Sequence, residues 1–310
     1  MKKYFLLLAA VIITSGAIAQ KGKVTSALSF IDQGALDKAK EALDQAFANE
    51  KSKNWFNTYF AQGKLCQAVY EADNPKFNSF YSDPLAEAYA SYEKAIQLDT
   101  KGGTKKRIIT NTIYNSLALD LYSQGSKQFE AKDFDGALKS FEIQIKITES
   151  DKYAGIVDTG MYYNAGLAAY NASKFNEAIQ YFTKCADMKY QGINPHIQIY
   201  ASYLGLGDTT KAEAYLLDLP NRFPGDNNIT LQLVDHFKTL YPQSKQMQKI
   251  QTLQAAAFIR MGQRPQAVEV LDKISGDDET LQVLRAQSQP EVAQRIALLE
   301  KFAEIAKPYN

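Results

Sequence analysis

The chain has 310 residues, and its 35 lysines and arginines nearly balance its 34 aspartates and glutamates. A chain without excess positive charge lacks the electrostatic attraction that nucleic acid or an anionic membrane requires, so we expect neither as a partner. Two cysteines and two scattered histidines do not make a zinc site, which needs three or four ligands at patterned spacing. We therefore predict neither a metal nor any other cofactor.

The first 19 residues contain the three regions of a secretory signal peptide. Lys2 and Lys3 are positively charged, residues 4–13 are almost entirely apolar, and Ala17-Ile18-Ala19 has the small-x-small pattern of a cleavage site. The apolar run is shorter than the roughly 20 residues of a membrane span. We expect cleavage before Gln20, although an uncleaved membrane anchor is the alternative. Because Gln20 is not a cysteine, we predict a periplasmic or secreted protein without a lipid anchor.

The remaining chain repeats a helical pattern, and no stretch alternates in the manner of a β-strand. An alanine recurs on the second helix of successive predicted helix pairs, at positions Ala39, Ala88, Ala137, Ala178, Ala212 and Ala267. Glycine and alanine would let the two helices of a pair touch, and aromatic side chains would fill the gap to the next pair. Because each pair alone leaves an apolar face bare, we expect the pairs to stack.

The clearest of these units runs from Thr159 to Tyr190. Its characteristic residues are Tyr162-Tyr163-Asn164-Ala165-Gly166, Tyr170, Lys174-Phe175, Ala178, Phe182 and Cys185. This unit resembles the tetratricopeptide repeat. The resemblance implies an all-α fold, a right-handed superhelical α-solenoid of stacked helix-turn-helix repeats. The recurring alanines are 49, 49, 41, 34 and 55 residues apart, and only one spacing equals the family period of about 34. The other units must therefore contain longer helices or insertions.

We predict a repeat domain over residues 20–275 with about six units and capping helices over 276–310. The array is irregular at 225–247, where Ile229 to Leu240 reads as an amphipathic helix that is either a single insertion or part of a hidden repeat. The last helix, within Pro290–Lys307, would carry its apolar residues on one side: Val292, Ile296, Leu299 and Phe302.

In the family, the first helices of successive repeats line a concave groove that holds peptides. The resemblance places eight residues there: Phe60, Lys64, Tyr122, Ser126, Tyr163, Asn164, Leu167 and Ile197. This groove is aromatic and apolar, and it lacks the lysine set with which chaperone-binding members hold a terminal carboxylate. An amphipathic helix or an apolar extended segment is therefore the expected ligand. The alternative is that these aromatic residues only pack.

The segment Asp73–Asp83 interrupts the second unit and carries three aromatic residues, Phe77, Phe80 and Tyr81. Exposed, they would form a secondary site that grips a partner, for example a carbohydrate or cell wall. Because exposed apolar patches are a liability, we favour a loop that folds back and buries them.

Enzyme signatures are absent from the sequence: it has no Gly-rich phosphate loop, no Gly-x-Ser-x-Gly and no His-Glu-x-x-His. Cys66 and Cys185 lie in helical patterns of units that are not neighbours, which favours buried free thiols over a disulfide. We predict a non-enzymatic protein–protein interaction scaffold of the bacterial cell envelope. The alternative is a carbohydrate- or cell-wall-binding module.

Overall fold

The computed structural model describes residues 21–110, 113–150, 159–222, 226–289 and 291–306. Within these ranges all regular secondary structure is helical, and no strand occurs. The helices form stacked pairs, which confirms the predicted all-α fold class. The predicted signal peptide lies outside the described residues. The chain folds into two compact units that divide between Tyr190 and Gln191.

The first unit contains nine described helices, numbered here in chain order. They are α1 (21–32), α2 (Leu36–Phe47), α3 (Phe56–Ala72), α4 (Pro84–Leu98), α5 (Gly103–Thr110), α6 (Ile113–Glu130), α7 (Phe134–Thr148), α8 (Gly160–Asn171) and α9 (Phe175–Asp187). A short 3-10 helix (Pro75–Phe77) lies between α3 and α4. The pairs are α1/α2, α3/α4, α6/α7 and α8/α9, and α5 is an extra helix between the second and third pairs.

The second unit contains seven described helices. They are α10 (Asn194–Gly205), α11 (Thr209–Arg222), α12 (Asn227–Leu240), α13 (Met247–Arg260), α14 (Arg264–Leu271), α15 (Glu279–Ser288) and α16 (Val292–Ala306). α10/α11 and α13/α14 are helix pairs. The helix predicted at Ile229–Leu240 is α12, which packs against both α11 and α13. Whether α12 is a single insertion or part of a hidden repeat stays a prediction.

Five pairs are joined by the same three-residue turn. Its second residue has a left-handed backbone with φ between 61° and 75°, at positions Gly34, Lys132, Ser173, Gly207 and Gly262. In the α8–α9 turn, the backbone N–H of Lys174 donates to the carbonyl of Ala169 at 2.8 Å, and the other four turns repeat this bond. This hydrogen bond gives a donor to a carbonyl group that has no partner within the last turn of the first helix. The five turns thus share one backbone geometry.

The two helices of a pair approach closely because a glycine on the first faces an aromatic ring on the second. A Cβ atom on Gly166 would lie 2.7 Å from the Phe182 ring, and Gly125 and Gly63 meet Phe141 and Tyr92 in the same way. The rings therefore pack within their own pair, and Tyr92 also contacts the next pair, as predicted, since its ring centre lies 6.4 Å from that of Tyr114 on α6. The six recurring alanines are all fully buried, as predicted.

Cys66 and Cys185 are buried free thiols, which confirms the prediction. Burial raises the pKa of the Cys185 thiol to about 12, so it stays protonated and unreactive at neutral pH. No helix in the described part of the chain is long and apolar enough to cross a membrane.

The apolar side predicted for the last helix is largely uncovered. Val292 is 59% exposed and Ile296 is 50% exposed, whereas Leu299 is half-buried. The side chain of Phe302 lies outside the described residues. α16 packs against α15, and this contact does not cover the stripe that begins at Val292.

Candidate functional site

Four of the eight predicted groove residues surround one open cavity in the first unit. Tyr122 and Ser126 lie four residues apart on α6, and Asn164 and Leu167 lie three apart on α8, so each pair of residues shares a helix face. The cavity has a volume of about 160 Å³, and three further residues line it: Phe129, Glu130 and Phe141. We call this site the Tyr122 cavity.

Three of the seven residues that line the Tyr122 cavity are aromatic: Tyr122, Phe129 and Phe141. The centre of the Tyr122 ring lies 6.4 Å from that of Phe141, and Phe141 in turn rests on Gly125. The depth of the cavity therefore depends on the same close packing that holds the α6/α7 pair together. Tyr122 is 45% exposed, so its ring is available to a ligand.

Three polar side chains accompany the aromatic wall: Ser126, Asn164 and Glu130. A hydroxyl and a carboxamide can exchange hydrogen bonds with the backbone of an extended segment, and a carboxylate can pair with a cation. The arrangement can accept one apolar side chain and orient the chain that carries it.

Leu119 extends this surface, although it was not among the predicted groove residues. It is 69% exposed, the largest exposed fraction among the exposed large apolar residues of the described chain. It lies three residues before Tyr122 and seven before Ser126, which places all three on one face of α6. That i, i+3, i+7 spacing was visible in the sequence, but the family pattern directed attention to only two positions per helix.

Two predicted groove residues lie away from the cavity. The half-buried Tyr163 ring packs against Phe182 at 5.5 Å and against Tyr190 at 5.8 Å. Ile197 belongs to the second unit, where it packs against a core that includes Tyr200 and Leu216. A direct role of these two residues in ligand contact stays a prediction.

The prediction that Phe60 lines an open groove was wrong. Phe60 is only 4% exposed, and its ring lies 6.1 Å from that of Tyr92. The guanidinium of Arg107, on α5, covers the ring at 4.7 Å. The family pattern contains no counterpart of α5, so it could not indicate this cover. Lys64 is half-buried and donates to Asp32 Oδ1 at 3.0 Å, which occupies its ammonium group.

The aromatic segment between α3 and α4 folds back against the core of the first unit, which is the arrangement that the sequence favoured. Phe77 is 8% exposed and belongs to the core formed with α1, α2 and α3. Its ring lies 5.3 Å from that of Phe80, and both Phe80 and Tyr81 are partly buried against the same core. The prediction that places Phe77 in an exposed secondary site is therefore wrong. The carbohydrate-binding alternative, which needs exposed aromatic rings, cannot use this one.

A polar network lies between α3, α4 and α6. Gln67 donates to Ser116 Oγ at 3.1 Å and to Asp120 Oδ2 at 3.0 Å, and it accepts from the Tyr92 hydroxyl at 3.1 Å. Burial, together with the nearby charge of Asp120, raises the pKa of the Glu71 carboxyl above its usual range. Two like charges thus approach each other on this side of α6.

The described residues contain no cluster of three or more His, Cys, Asp or Glu side chains arranged to hold a metal ion. The chemistry that these residues support at the Tyr122 cavity is recognition: apolar contact, hydrogen bonding and charge pairing.

Residues 159–191 match the family model of the tetratricopeptide repeat. The match covers α8, α9 and the turn between them. Heat shock protein STI1 of Saccharomyces cerevisiae is 29% identical over 100 residues, which are 32% of this chain and 16% of that protein. The matched stretch therefore spans about one sixth of the yeast relative.

Solved structures of low identity also align with the chain. A tetratricopeptide repeat protein from Parabacteroides merdae is 17% identical, with 92% of each chain covered and a TM-score of 0.28. The P58(IPK) TPR domain is 13% identical, with 94% of this chain and 99% of that chain covered and a TM-score of 0.30. YrrB, described as a TPR protein with an unusual peptide-binding site, is 15% identical, with 84% of this chain and 100% of that chain covered and a TM-score of 0.26.

Proposed function

We propose that this chain is a tetratricopeptide-repeat scaffold of the bacterial cell envelope that binds a protein or peptide partner at the Tyr122 cavity. One observation carries the proposal. Four residues that the repeat pattern assigns to a ligand groove surround one open cavity, and the exposed Leu119 extends the same helix face. Proteins of this repeat family are typically non-enzymatic, in agreement with the prediction that the chain is not an enzyme.

The apolar part of the surface supplies the affinity. A partner side chain that enters the cavity removes apolar surface of Tyr122, Phe141 and Leu167 from water, which stabilises the complex by about 25 cal/mol for each Å². Asn164 and Ser126 add direction, because a hydrogen-bonded backbone allows only certain positions of the inserted side chain. The partner that fits is an extended segment or an amphipathic helix with one protruding apolar residue.

Affinity capture tests the binding proposal. The full chain is immobilised beside two double variants: Leu119→Ala with Tyr122→Ala, and Leu206→Ala with Leu240→Ala as a control. The control pair lies in the second unit at similar exposures of 43% and 44%. Proteins retained from an envelope extract are identified by mass spectrometry. We expect the first double variant to retain at least about tenfold less of the captured partner than the unmodified chain, since central aromatic contacts dominate binding. Equal capture by both double variants would contradict the proposal.

The envelope location rests on the signal peptide predicted at residues 1–19 and needs its own test. The full chain is expressed in a Gram-negative host, the periplasm is separated from the cytoplasm, and the purified protein is sequenced from its N-terminus. We expect a periplasmic protein that begins at Gln20. A chain that keeps Met1 and stays in the cytoplasm would refute this part of the proposal and leave the binding site untouched.

A further inference from the structure

The size of the Tyr122 cavity limits the side chain that can enter it. A cavity of about 150 Å³ lined by Leu, Ile and Phe side chains admits one benzene molecule in another protein. The Tyr122 cavity has a volume of about 160 Å³, and its apolar lining consists of three aromatic rings and Leu167. One phenyl ring or one branched aliphatic side chain therefore fills it.

The charge at its edge indicates what accompanies that side chain. Glu130 is exposed, lines the cavity and ends α6, and it forms no ion pair with any described residue. The carboxyl end of a helix carries a partial negative charge, so a carboxylate there is repelled by its own helix and a cation is attracted. Two sources of negative potential thus coincide at the edge of an apolar cavity.

Two lysines, Lys127 and Lys132, lie near Glu130 in the sequence and differ in their surroundings. Lys127 lies three residues earlier and places its ammonium 5.9 Å from the centre of the Tyr70 ring, on α3. Lys132 follows in the exposed α6–α7 turn and forms no ion pair with the described residues. Lys132 is therefore the nearest cation in sequence with which a ligand cation would compete.

We propose that the partner segment is basic as well as apolar: it inserts one benzene-sized side chain into the Tyr122 cavity and presents a lysine or arginine to Glu130. This inference rests on the proposed function, since it specifies the partner of the same site. It commits to a peptide or protein segment that carries net positive charge.

Labelled peptides test the charge preference directly. Three 12-residue peptides have a central phenylalanine flanked by two lysines, two glutamates or two serines on each side, and a fourth has the lysine flanks with alanine at the centre. Binding to the full chain is measured by fluorescence anisotropy at low and high salt. We expect the lysine–phenylalanine peptide to bind at least about tenfold more tightly than the glutamate peptide and the alanine-centred peptide, and to weaken as salt screens the charges.

Variants of the protein assign the preference to the cavity. Glu130→Lys should weaken the lysine–phenylalanine peptide at least about fivefold, because it replaces attraction by repulsion. Lys132→Gln should strengthen it by about two- to threefold, because it removes a competing cation. Glu177→Lys, at an exposed position on α9, is the matched control and should change the affinity less than twofold.

Each result decides the inference. Equal binding of lysine and glutamate peptides, or binding that Glu130→Lys and Glu177→Lys change alike, would overturn it, and so would the absence of binding by every peptide. The proposed function has its separate test, because loss of partner capture in the Leu119–Tyr122 double variant depends on no charge. If the protein captured a partner through Leu119 and Tyr122 but bound all peptide charges equally, the proposed function would stand and this inference would be overturned.

Discussion

The α3/α4 and α8/α9 pairs share their internal packing and differ in what surrounds them. In both, a glycine of the first helix meets an aromatic ring of the second, Tyr92 in one pair and Phe182 in the other. A three-residue turn joins α8 to α9, whereas the 11-residue segment 73–83 joins α3 to α4, and α5 follows that pair. As a result Phe60, three residues before its glycine, is buried under Arg107.

The equivalent position in the intervening α6/α7 pair is exposed rather than buried. Tyr122 also lies three residues before its glycine and packs on its partner ring, but it is 45% exposed and lines a cavity. The comparison shows that the repeat sets where an aromatic residue stands, and that the segments packed around it decide whether a ligand can reach it.

Adding a methyl group at the shared glycine has the largest expected effect. Gly166→Ala places a Cβ atom 2.7 Å from the Phe182 ring and should lower the free energy of unfolding by about 1–3 kcal/mol. Urea unfolding followed by circular dichroism measures this loss. Gly22→Ala in α1 meets no atom within 4 Å and serves as the control. If Gly63→Ala were harmless while Gly166→Ala was not, the two pairs would not share their packing.

The second prediction concerns Asp83, where the connecting segment ends and α4 begins. Its carboxylate accepts from the Ala86 backbone N–H, from Gln124 and from Lys139, on α6 and α7. Burial alone would raise the pKa of this carboxyl, but these hydrogen bonds outweigh it and hold the pKa below its usual range. Asp83→Ala should therefore lower the free energy of unfolding by about 1–2 kcal/mol at pH 7.

The pH dependence of this effect follows from the lowered pKa. Folding favours the charged form of Asp83, so its contribution is complete above the unfolded pKa of about 3.9 and is lost as the pH falls through the lower folded value. Asp83→Asn keeps a capping oxygen and should cost less than Asp83→Ala. Lys174, the equivalent cap position of α9, makes no side-chain cap hydrogen bond, so Lys174→Ala should cost less than about 0.5 kcal/mol. A pH-independent Asp83→Asn effect would contradict the assignment.

The cover over Phe60 should appear as a coupling energy between α5 and α3. We expect a double-mutant cycle of Arg107→Ala and Phe60→Leu to give a coupling of about 0.5–1 kcal/mol, the usual strength of a cation–π contact at a partly exposed site. Chemical denaturation of the four proteins measures it. Strictly additive effects would mean that Arg107 does not hold α5 over this ring.

The smallest expected effect is at the repeated turn. Ser173 adopts a φ of 61°, which costs a residue with a side chain more than it costs glycine, and Gly207 occupies the same position in the second unit. Ser173→Gly should raise the free energy of unfolding by a few tenths of a kcal/mol, since the relief in the turn exceeds the entropy cost of glycine in the unfolded chain. Ala172→Gly, at a φ of −77°, should instead lower it. Thermal unfolding of both variants measures whether the stability rises in Ser173→Gly and falls in Ala172→Gly.

Much of the fold follows from local sequence pattern. The six buried alanines and the free cysteines were placed correctly, because helical periodicity and side-chain size suffice to identify a close-packed position. Half of the predicted groove also came together, at Tyr122, Ser126, Asn164 and Leu167. Leu119 was missed although its spacing was visible, since an exposed leucine on an otherwise regular helix looks like any core position.

The sequence by itself determined the all-helical class, the helix pairs and the residues at which paired helices touch, because these depend on neighbours within a few turns. Only the tertiary structure decided which aromatic residues remain open. Arg107 lies 47 residues after the Phe60 ring that it covers, and the 73–83 segment returns to bury Phe77 against α1, α2 and α3. Exposure is a property of everything packed around a side chain, and a repeat pattern contains no information about what has been inserted between its copies.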